Sequence, residues 1–174
     1  MSSMTPALID YWQKLPTRSI AARRRSLEDA RRRVHEGERG ADALVPYALA
    51  DHDEEVVFAA TAAYVGVVRD AVARSAAAYD ASEWVRRGLA INRGAVFAAL
   101  LALGDERINE RLLPLRLALS VEDVATVCRR ATRRPCERSR AFLHEWHELL
   151  SGESTKRERA HVAATLGIAD ARVA

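Results

Sequence analysis

Two segments of the chain, residues 44–63 (LVPYALADHDEEVVFAATAA) and residues 112–131 (LLPLRLALSVEDVATVCRRA), align without a gap. Each has apolar residues at helical spacing on both sides of a short polar turn, which is the pattern of a helical hairpin. A third, more divergent copy lies between them, at residues 84–90 and 95–104. Two-helix units that recur roughly every 34–40 residues are typical of an α-solenoid, because a unit buries its apolar face only when a neighbour stacks on it.

The composition favours helices throughout the chain. The 174 residues suit one domain, and 49% of them are hydrophobic, with only eight glycines and five prolines. We predict an all-α fold, a short right-handed α-solenoid that forms a single domain. Three helical hairpins are predicted over residues 41–135, between N-terminal capping helices at 1–40 and C-terminal capping helices at 136–174. Capping helices are expected because the open ends of a solenoid expose apolar surface.

Capping residues and glycines predict where individual helices begin and end. The predicted helices cover residues 5–15, 18–36, 43–50, a segment from 54, a segment after 82, 95–104, a segment from about 110 to 119, a segment after 120, 137–150 and 156–166. The predicted N-caps are Thr5, Asp42, Ser82, Ser120 and Thr155, and Asp123 is expected to complete a capping box with Ser120. The helix at 18–36 is predicted to end at Gly37 and Gly40 and to bury Ile20, Leu27, Ala30 and Val34.

The first copy of the hairpin resembles a HEAT-type repeat. The positions that match this family are Pro46, Asp53, Val56, Ala59, Ala60 and Gly66. The family usually has an arginine directly after the valine of the second helix, where this chain has Val57 and Ala125. The resemblance covers roughly residues 42–131 and is that of a HEAT-like relative. It implies a scaffold or adaptor protein, with no catalytic residues to carry over.

Charge is distributed unevenly along the chain. Arginines are clustered at residues 23–25, 31–33 and 129–140, whereas residues 42–55 contain acids and no lysine or arginine. Such asymmetry concerns binding partners rather than the fold, and arginine is frequent at protein interfaces. We predict a non-catalytic surface that binds another protein with an acidic surface. The predicted contact residues are Arg86, Arg87, Arg93, Arg129, Arg130, Arg133 and Arg134.

Two other interpretations of the arginines stay open. The same residues offer contacts to a phosphate backbone, so nucleic-acid binding is the second hypothesis. None of these arginine clusters contains an aromatic residue that would stack on bases. The third interpretation is a solvated surface without a ligand, because the helix dipole favours arginines at the end of a helix.

Residues with catalytic or metal-binding potential are few. The string HEWHELL at 144–150 places His144, His147 and Glu148 at spacings that suit metal ligands on a helix, although the histidines also fit the polar side of a helix with an apolar core face. Cys128 is predicted to be a core residue, and Cys136 follows a proline in a basic loop where arginines would lower a thiol pKa. No phosphate-binding loop or nucleophile motif is present, so we predict no enzyme and no cofactor.

Cellular location is inferred from signals that the sequence lacks. The first residues, MSSMTPALIDYW, do not show a basic region followed by an apolar segment, and no apolar run approaches the length of a membrane span. Two cysteines favour a reducing compartment. We therefore predict a cytoplasmic protein without a membrane partner, and the oligomeric state stays open.

Overall fold

The computed structural model describes residues 19–38, 40–67, 71–103, 106–133, 137–147, 150 and 155–167. Within these ranges the chain forms α-helices and two short 3-10 helices, with no strand, so the predicted all-α class is confirmed. The elements are α1 (Ile20–His35), η1 (Ala41–Leu44), α2 (Val45–Ala50), α3 (Glu54–Gly66), α4 (Ala71–Arg86), α5 (Arg93–Leu103), α6 (Glu106–Leu115), η2 (Arg116–Ala118), α7 (Val121–Arg133), α8 (Glu137–His147) and α9 (Lys156–Leu166). None of these helices combines the length and the apolar character that crossing a membrane requires.

Alternate helices pack side by side. Helix α3 packs against α5, α5 against α7, and α7 against α9, while α4 packs against α6. Consecutive helices also pack, as in the pairs α2–α3, α4–α5 and α8–α9. Helix α5 lies between α3 and α7 and is buried from Gly94 to Leu101. The core is therefore organised around α5.

Aromatic rings attach α8 to the core. Phe97 of α5 lies 5.9 Å from Phe142 and 5.4 Å from Trp146, measured between ring centroids. The two rings of α8 are themselves 5.4 Å apart. Tilted and edge-on pairs at these distances contribute about 0.5–1.5 kcal/mol each beyond their buried area. This cluster confirms that the apolar side of the HEWHELL helix is core.

The two matching segments both form a helix, a turn and a second helix. The first segment gives the last residue of η1, α2 and part of α3, and the second gives the end of α6, η2 and most of α7. Leu44 and the equivalent Leu112 are both fully buried. Ala60 and the equivalent Cys128 are also fully buried, which confirms the prediction that Cys128 is a core residue. The match is incomplete, because Leu117, the equivalent of the partly buried Leu49, is 87% exposed.

Local signals predicted several helix ends correctly. Gly37 follows α1 with φ of +83°, in the left-handed region that glycine adopts without strain. The capping box before α7 is present: the backbone N–H of Asp123 donates to Ser120 Oγ at 3.2 Å, and the backbone N–H of Ser120 donates to Asp123 Oδ2 at 3.0 Å. Asp53 caps α3 by accepting from the N–H groups of Glu55 and Val56. These caps orient the starts of α3 and α7.

Other local predictions were wrong. Ser82 does not begin a helix, because the alanine-rich segment before it is already helical and its hydroxyl donates to the carbonyl of Tyr79 within α4. Asp42 lies inside η1 rather than directly before a helix. By contrast, the predicted helix at 156–166 and its N-cap Thr155 are confirmed, although Thr155 makes no side-chain capping bond. Ile20 is 49% exposed, since the buried stripe of α1 starts at Leu27. The predicted helix at 5–15 lies outside the described residues.

Candidate functional site

Arginines of α7 reach across α5 to the acidic start of α3. Arg129 Nη2 lies 3.1 Å from Glu54 Oε2, and its Nη1 lies 2.5 Å from Glu158 Oε1 of α9. Both carboxylates raise the pKa of Arg129 against the opposing effect of burial. One guanidinium therefore links α3, α7 and α9. The basic and acidic segments of the sequence, which were expected to face other molecules, pair here within one chain.

Arg130 is the most enclosed member of this network. Its side chain is 8% exposed, its Nη2 lies 2.9 Å from Glu55 Oε1, and its guanidinium carbon lies 4.5 Å from the ring centroid of Phe58. A cation over an aromatic face at this distance is attracted to the ring. The Nε–H of Arg130 is buried and has no hydrogen-bond partner among the described residues. Arg130 therefore keeps unused hydrogen-bonding capacity.

Glu55 is shared by two arginines. Arg133 Nη1 also lies 2.9 Å from Glu55 Oε1, so both guanidinium groups contact the same oxygen. Burial raises the pKa of the Glu55 carboxyl, but the opposing attraction of Arg130 and Arg133 outweighs it and the pKa is lowered. Glu55 is therefore held in its charged form. Arg133, whose side chain is 58% exposed, extends from this cluster towards solvent.

A groove of about 580 Å³ adjoins these charges, with α3, α5 and α7 along its sides. The lining is mostly apolar and rich in alanine, and the polar groups are Glu55, Arg130, Arg133 and Ser139. The apolar lining residues are Phe58, Ala62, Ala98, Ala99, Leu101, Ala102, Leu103, Val127 and Ala131. Its volume lies within the range of about 300–1,000 Å³ that is common for ligand pockets. Small side chains leave room for larger ones from a partner. We call this region the α5 groove.

A second, shallower groove of about 840 Å³ lies between α1 and α3. Its α3 side consists of small residues such as Ala63 and Gly66, and its α1 side is charged. The charges on α1 are largely paired with each other, as in Arg32 with Asp29 at 2.7 Å. The arginines and acids that line it leave one net positive charge, as in the α5 groove, so the apolar lining rather than the charge distinguishes the two grooves.

The predicted contact arginines fall into separate groups. Arg129, Arg130 and Arg133 form the network beside the α5 groove. Arg93 instead lies 2.9 Å from Asp123 and also donates to the carbonyl of Ala118, which fixes the loop before α7.

The arginines at the end of α4 belong to neither of these clusters. Arg86 pairs with Glu83 on the same helix, at 2.6 Å. Arg87 is exposed, and no ion pair joins it to a described residue. Arg134 lies outside the described residues.

Sequence reasoning missed the apolar half of the site. Phe58 and the alanines of α5 have helical spacing and were interpreted only as core positions. It also missed the pair between Arg23 and Asp51, in which Nε donates to both carboxylate oxygens at 3.1 and 2.9 Å and Asp51 is fully buried. The partners are far apart in the sequence, so no local pattern indicates this pair.

The histidines and cysteines that the sequence offers for metal binding or nucleophilic chemistry are not grouped into one site among the described residues. No group of three or more His, Cys, Asp or Glu residues is arranged there to hold a metal ion. His144 is exposed whereas His147 is 4% exposed, and Glu148 lies outside the described residues. Burial raises the pKa of the Cys128 thiol to about 12, with a smaller contribution from Glu158. The other cysteine, at position 136, also lies outside the described residues.

Comparisons with known proteins do not assign the chain to a family. No protein-family model, curated protein or solved structure matches it. The resemblance to HEAT-type repeats therefore depends on the residues of the chain alone, and the function has to be argued from the geometry of the described surface.

Proposed function

We propose that the chain is a non-catalytic protein-binding module, a short right-handed solenoid of HEAT-like hairpins that holds a partner protein in the α5 groove. The observation that carries this proposal is the apolar, alanine-lined groove of about 580 Å³ with arginines at its side. The order of helix packing supports the solenoid, because second helices of successive hairpins lie side by side as α3, α5 and α7. Stacked hairpins produce continuous grooves of this kind.

The apolar lining favours a protein over nucleic acid. A phosphate backbone gains its affinity from cations that neutralise it and gains little from alanine and leucine surface. The arginines beside the groove already contact carboxylates, at 3.1 Å for Arg129 and 2.9 Å for Arg130 and Arg133. Only Arg130, Arg133 and Glu55 among these charges line the groove, a net charge of one, whereas nucleic-acid binding uses several cations that neutralise phosphates. The groove instead suits apolar side chains with a polar rim, the usual arrangement at protein interfaces.

A substitution that fills the groove tests the proposal. Ala102 is an exposed residue in the last turn of α5 and lines the groove, so Ala102→Glu adds bulk and charge there without removing core contacts. Ala164 is an exposed alanine in the last turn of α9 and is not among the lining residues, so Ala164→Glu is a matched control. Both variants should keep the helical circular dichroism of the wild type.

The assay is selection of ligands from a displayed library of 16-residue peptides, followed by fluorescence anisotropy of the enriched peptides. Wild type and Ala164→Glu should bind the same peptides, and Ala102→Glu should weaken binding at least tenfold. Equal binding by all three proteins would show that the groove is not the binding surface. A parallel salt titration with duplex DNA tests the nucleic-acid hypothesis, which requires binding that weakens linearly with the logarithm of salt concentration.

A further inference from the structure

The six charges beside the α5 groove balance as three arginines against three glutamates, but those that line the groove do not. Glu54 and Glu158 both contact Arg129, at 3.1 and 2.5 Å. Glu54 also lies 3.6 Å from Arg130, a longer separation than the 2.9 Å to Glu55. Glu55 is thus the main carboxylate for two arginines, Arg130 and Arg133. The wall of the groove formed by these three residues carries one excess positive charge.

The excess charge is directed towards solvent through Arg133. Its side chain is 58% exposed, and one of its nitrogens contacts Glu55. A guanidinium has five N–H donors in a planar arrangement that matches a carboxylate. Arg133 therefore retains donors that an incoming carboxylate can use while Glu55 stays in place. Arg130, with an exposed fraction of 8%, is held by Phe58 and Glu55 and is less available.

The shape of the groove suits a helix. The lining residues of α3 are Glu55, Phe58 and Ala62, a stripe at i, i+3 and i+7. Seven residues of an α-helix rise about 10 Å, so the groove runs along roughly two helical turns. A partner helix presents apolar side chains over the same length at its own i, i+3 or i+4, and i+7 positions. The alanines at 98, 99 and 102 allow such side chains to approach α5 closely.

We propose that the α5 groove binds an amphipathic α-helix that carries an acidic residue beside its apolar stripe, and that this carboxylate pairs with Arg133. This inference depends on the proposed protein-binding function and specifies the chemistry of the partner. Glu55 opposes binding, because its negative charge lies beside Arg133 and repels the partner's carboxylate. Removal of the Glu55 charge should strengthen binding, and removal of the Arg133 charge should weaken it.

The test uses a displayed library of 16-residue helical peptides with one randomised face. Peptides enriched on the wild-type chain should have apolar residues at i, i+3 or i+4, and i+7, with Glu or Asp one turn away. Arg133→Gln should lower the affinity for these peptides about two- to fivefold, the effect of losing an exposed ion pair. Glu55→Gln should raise the affinity by a similar factor. Peptide twins with Gln in place of the acid should respond to neither substitution.

Matched controls separate this local effect from a change in overall charge. Glu122 and Arg157 are exposed and lie outside the groove lining, so Glu122→Gln removes one acid elsewhere and Arg157→Gln removes one arginine. Neither control should alter peptide affinity. If they shift affinity as much as the groove variants do, the effect comes from net charge and the proposed pairing with Arg133 is wrong.

The remaining outcomes distinguish the two proposals. One outcome is that the enriched peptides lose binding in Ala102→Glu and yet show no preference for an acidic residue. That result would overturn the acidic-helix inference and leave the protein-binding function supported. Enrichment that Ala102→Glu does not affect would overturn the function itself. Displacement of the peptides by dodecanoate at equal concentration would identify the groove as a fatty-acid site instead, because a long apolar carboxylate satisfies the same lining and the same arginine.

Discussion

Gly94 allows α5 to pack closely against the start of α7. Its backbone N–H donates to Asp123 Oδ1 at 2.9 Å, at the start of both helices. A Cβ atom placed on Gly94 would lie 2.5 Å from the carbonyl oxygen of Asp123 and 2.9 Å from its Cα. Favourable contacts between non-bonded carbon atoms occur at about 3.5–4.0 Å. Gly94→Ala therefore requires the two helices to separate by about an ångström.

Two opposing effects determine how Gly94→Ala changes the free energy of unfolding. Replacing glycine by alanine in a helix stabilises a protein by about 0.4–1 kcal/mol when the backbone can accept it. Overpacking costs about 1–3 kcal/mol, and loss of the hydrogen bond to Asp123 costs about 0.5–1.5 kcal/mol. The atoms in the way belong to the backbone of α7, which the Ser120–Asp123 capping box holds in place. Overpacking should prevail, with a net loss of about 2 kcal/mol and a fall in Tm of roughly 4–8 °C.

Gly66→Ala is the matched control. Gly66 is exposed at the end of α3, and a Cβ there would meet nothing within 4 Å. This variant should be as stable as the wild type or slightly more stable, by up to about 1 kcal/mol. Urea unfolding followed by circular dichroism at 222 nm measures both variants. If Gly94→Ala is as stable as Gly66→Ala at the same m-value, α5 and α7 do not approach as closely as described.

Three further predictions concern buried and charged groups. Asp51→Ala leaves Arg23 without the carboxylate that it contacts at 2.9 Å, and because Asp51 is fully buried we expect a loss of about 3–5 kcal/mol in thermal unfolding. In a Cys136→Ser background, Cys128 should react with an aromatic disulfide reagent at pH 8 only after urea is added, since burial raises the pKa of its thiol to about 12. The lowered pKa of Glu55 stabilises the fold above the ordinary value of 4.5, and this contribution is lost as the pH falls through the lower folded-state value. Glu55→Gln should therefore reduce the loss of unfolding free energy measured between pH 6 and pH 3.

Features that depend on neighbouring residues could be predicted from the sequence. The capping box of Ser120 and Asp123 joins residues three positions apart, and Gly37 needs only its own backbone conformation. The spacing of apolar residues predicted the helices α3 and α7, but it did not predict how widely α7 is buried, because the consecutive residues from Val124 to Cys128 are all buried. Ser82 misled the prediction, since a capping residue is informative only when the residues before it are not already helical.

The site could be predicted only in part, for a physical reason. Its charges stand out in the sequence, but their pairing depends on tertiary structure, because Arg129 and Glu54 are 75 residues apart. The apolar half of the groove was not distinguishable from core. An alanine such as Ala102 has the same helical spacing whether a neighbouring helix covers it or a groove exposes it, and only the packing of α3, α5 and α7 decides between these cases.

Two arginines beside the groove, Arg130 and Arg133, differ in exposure, so their substitution should affect stability to different extents. Arg130 has an exposed fraction of 8% and contacts both Glu55 and Phe58, so Arg130→Gln removes a charged contact and a cation–π contact and should cost about 2 kcal/mol of unfolding free energy. Arg133 is 58% exposed, and Arg133→Gln should cost less than about 1 kcal/mol.

Urea unfolding of the two variants measures whether Arg130→Gln destabilises the fold more than Arg133→Gln does. A loss of peptide binding in Arg130→Gln alone would report a damaged fold, whereas a loss in Arg133→Gln reports the interface. If Arg130→Gln proves as stable as Arg133→Gln, the enclosed Arg130 is not required for the fold.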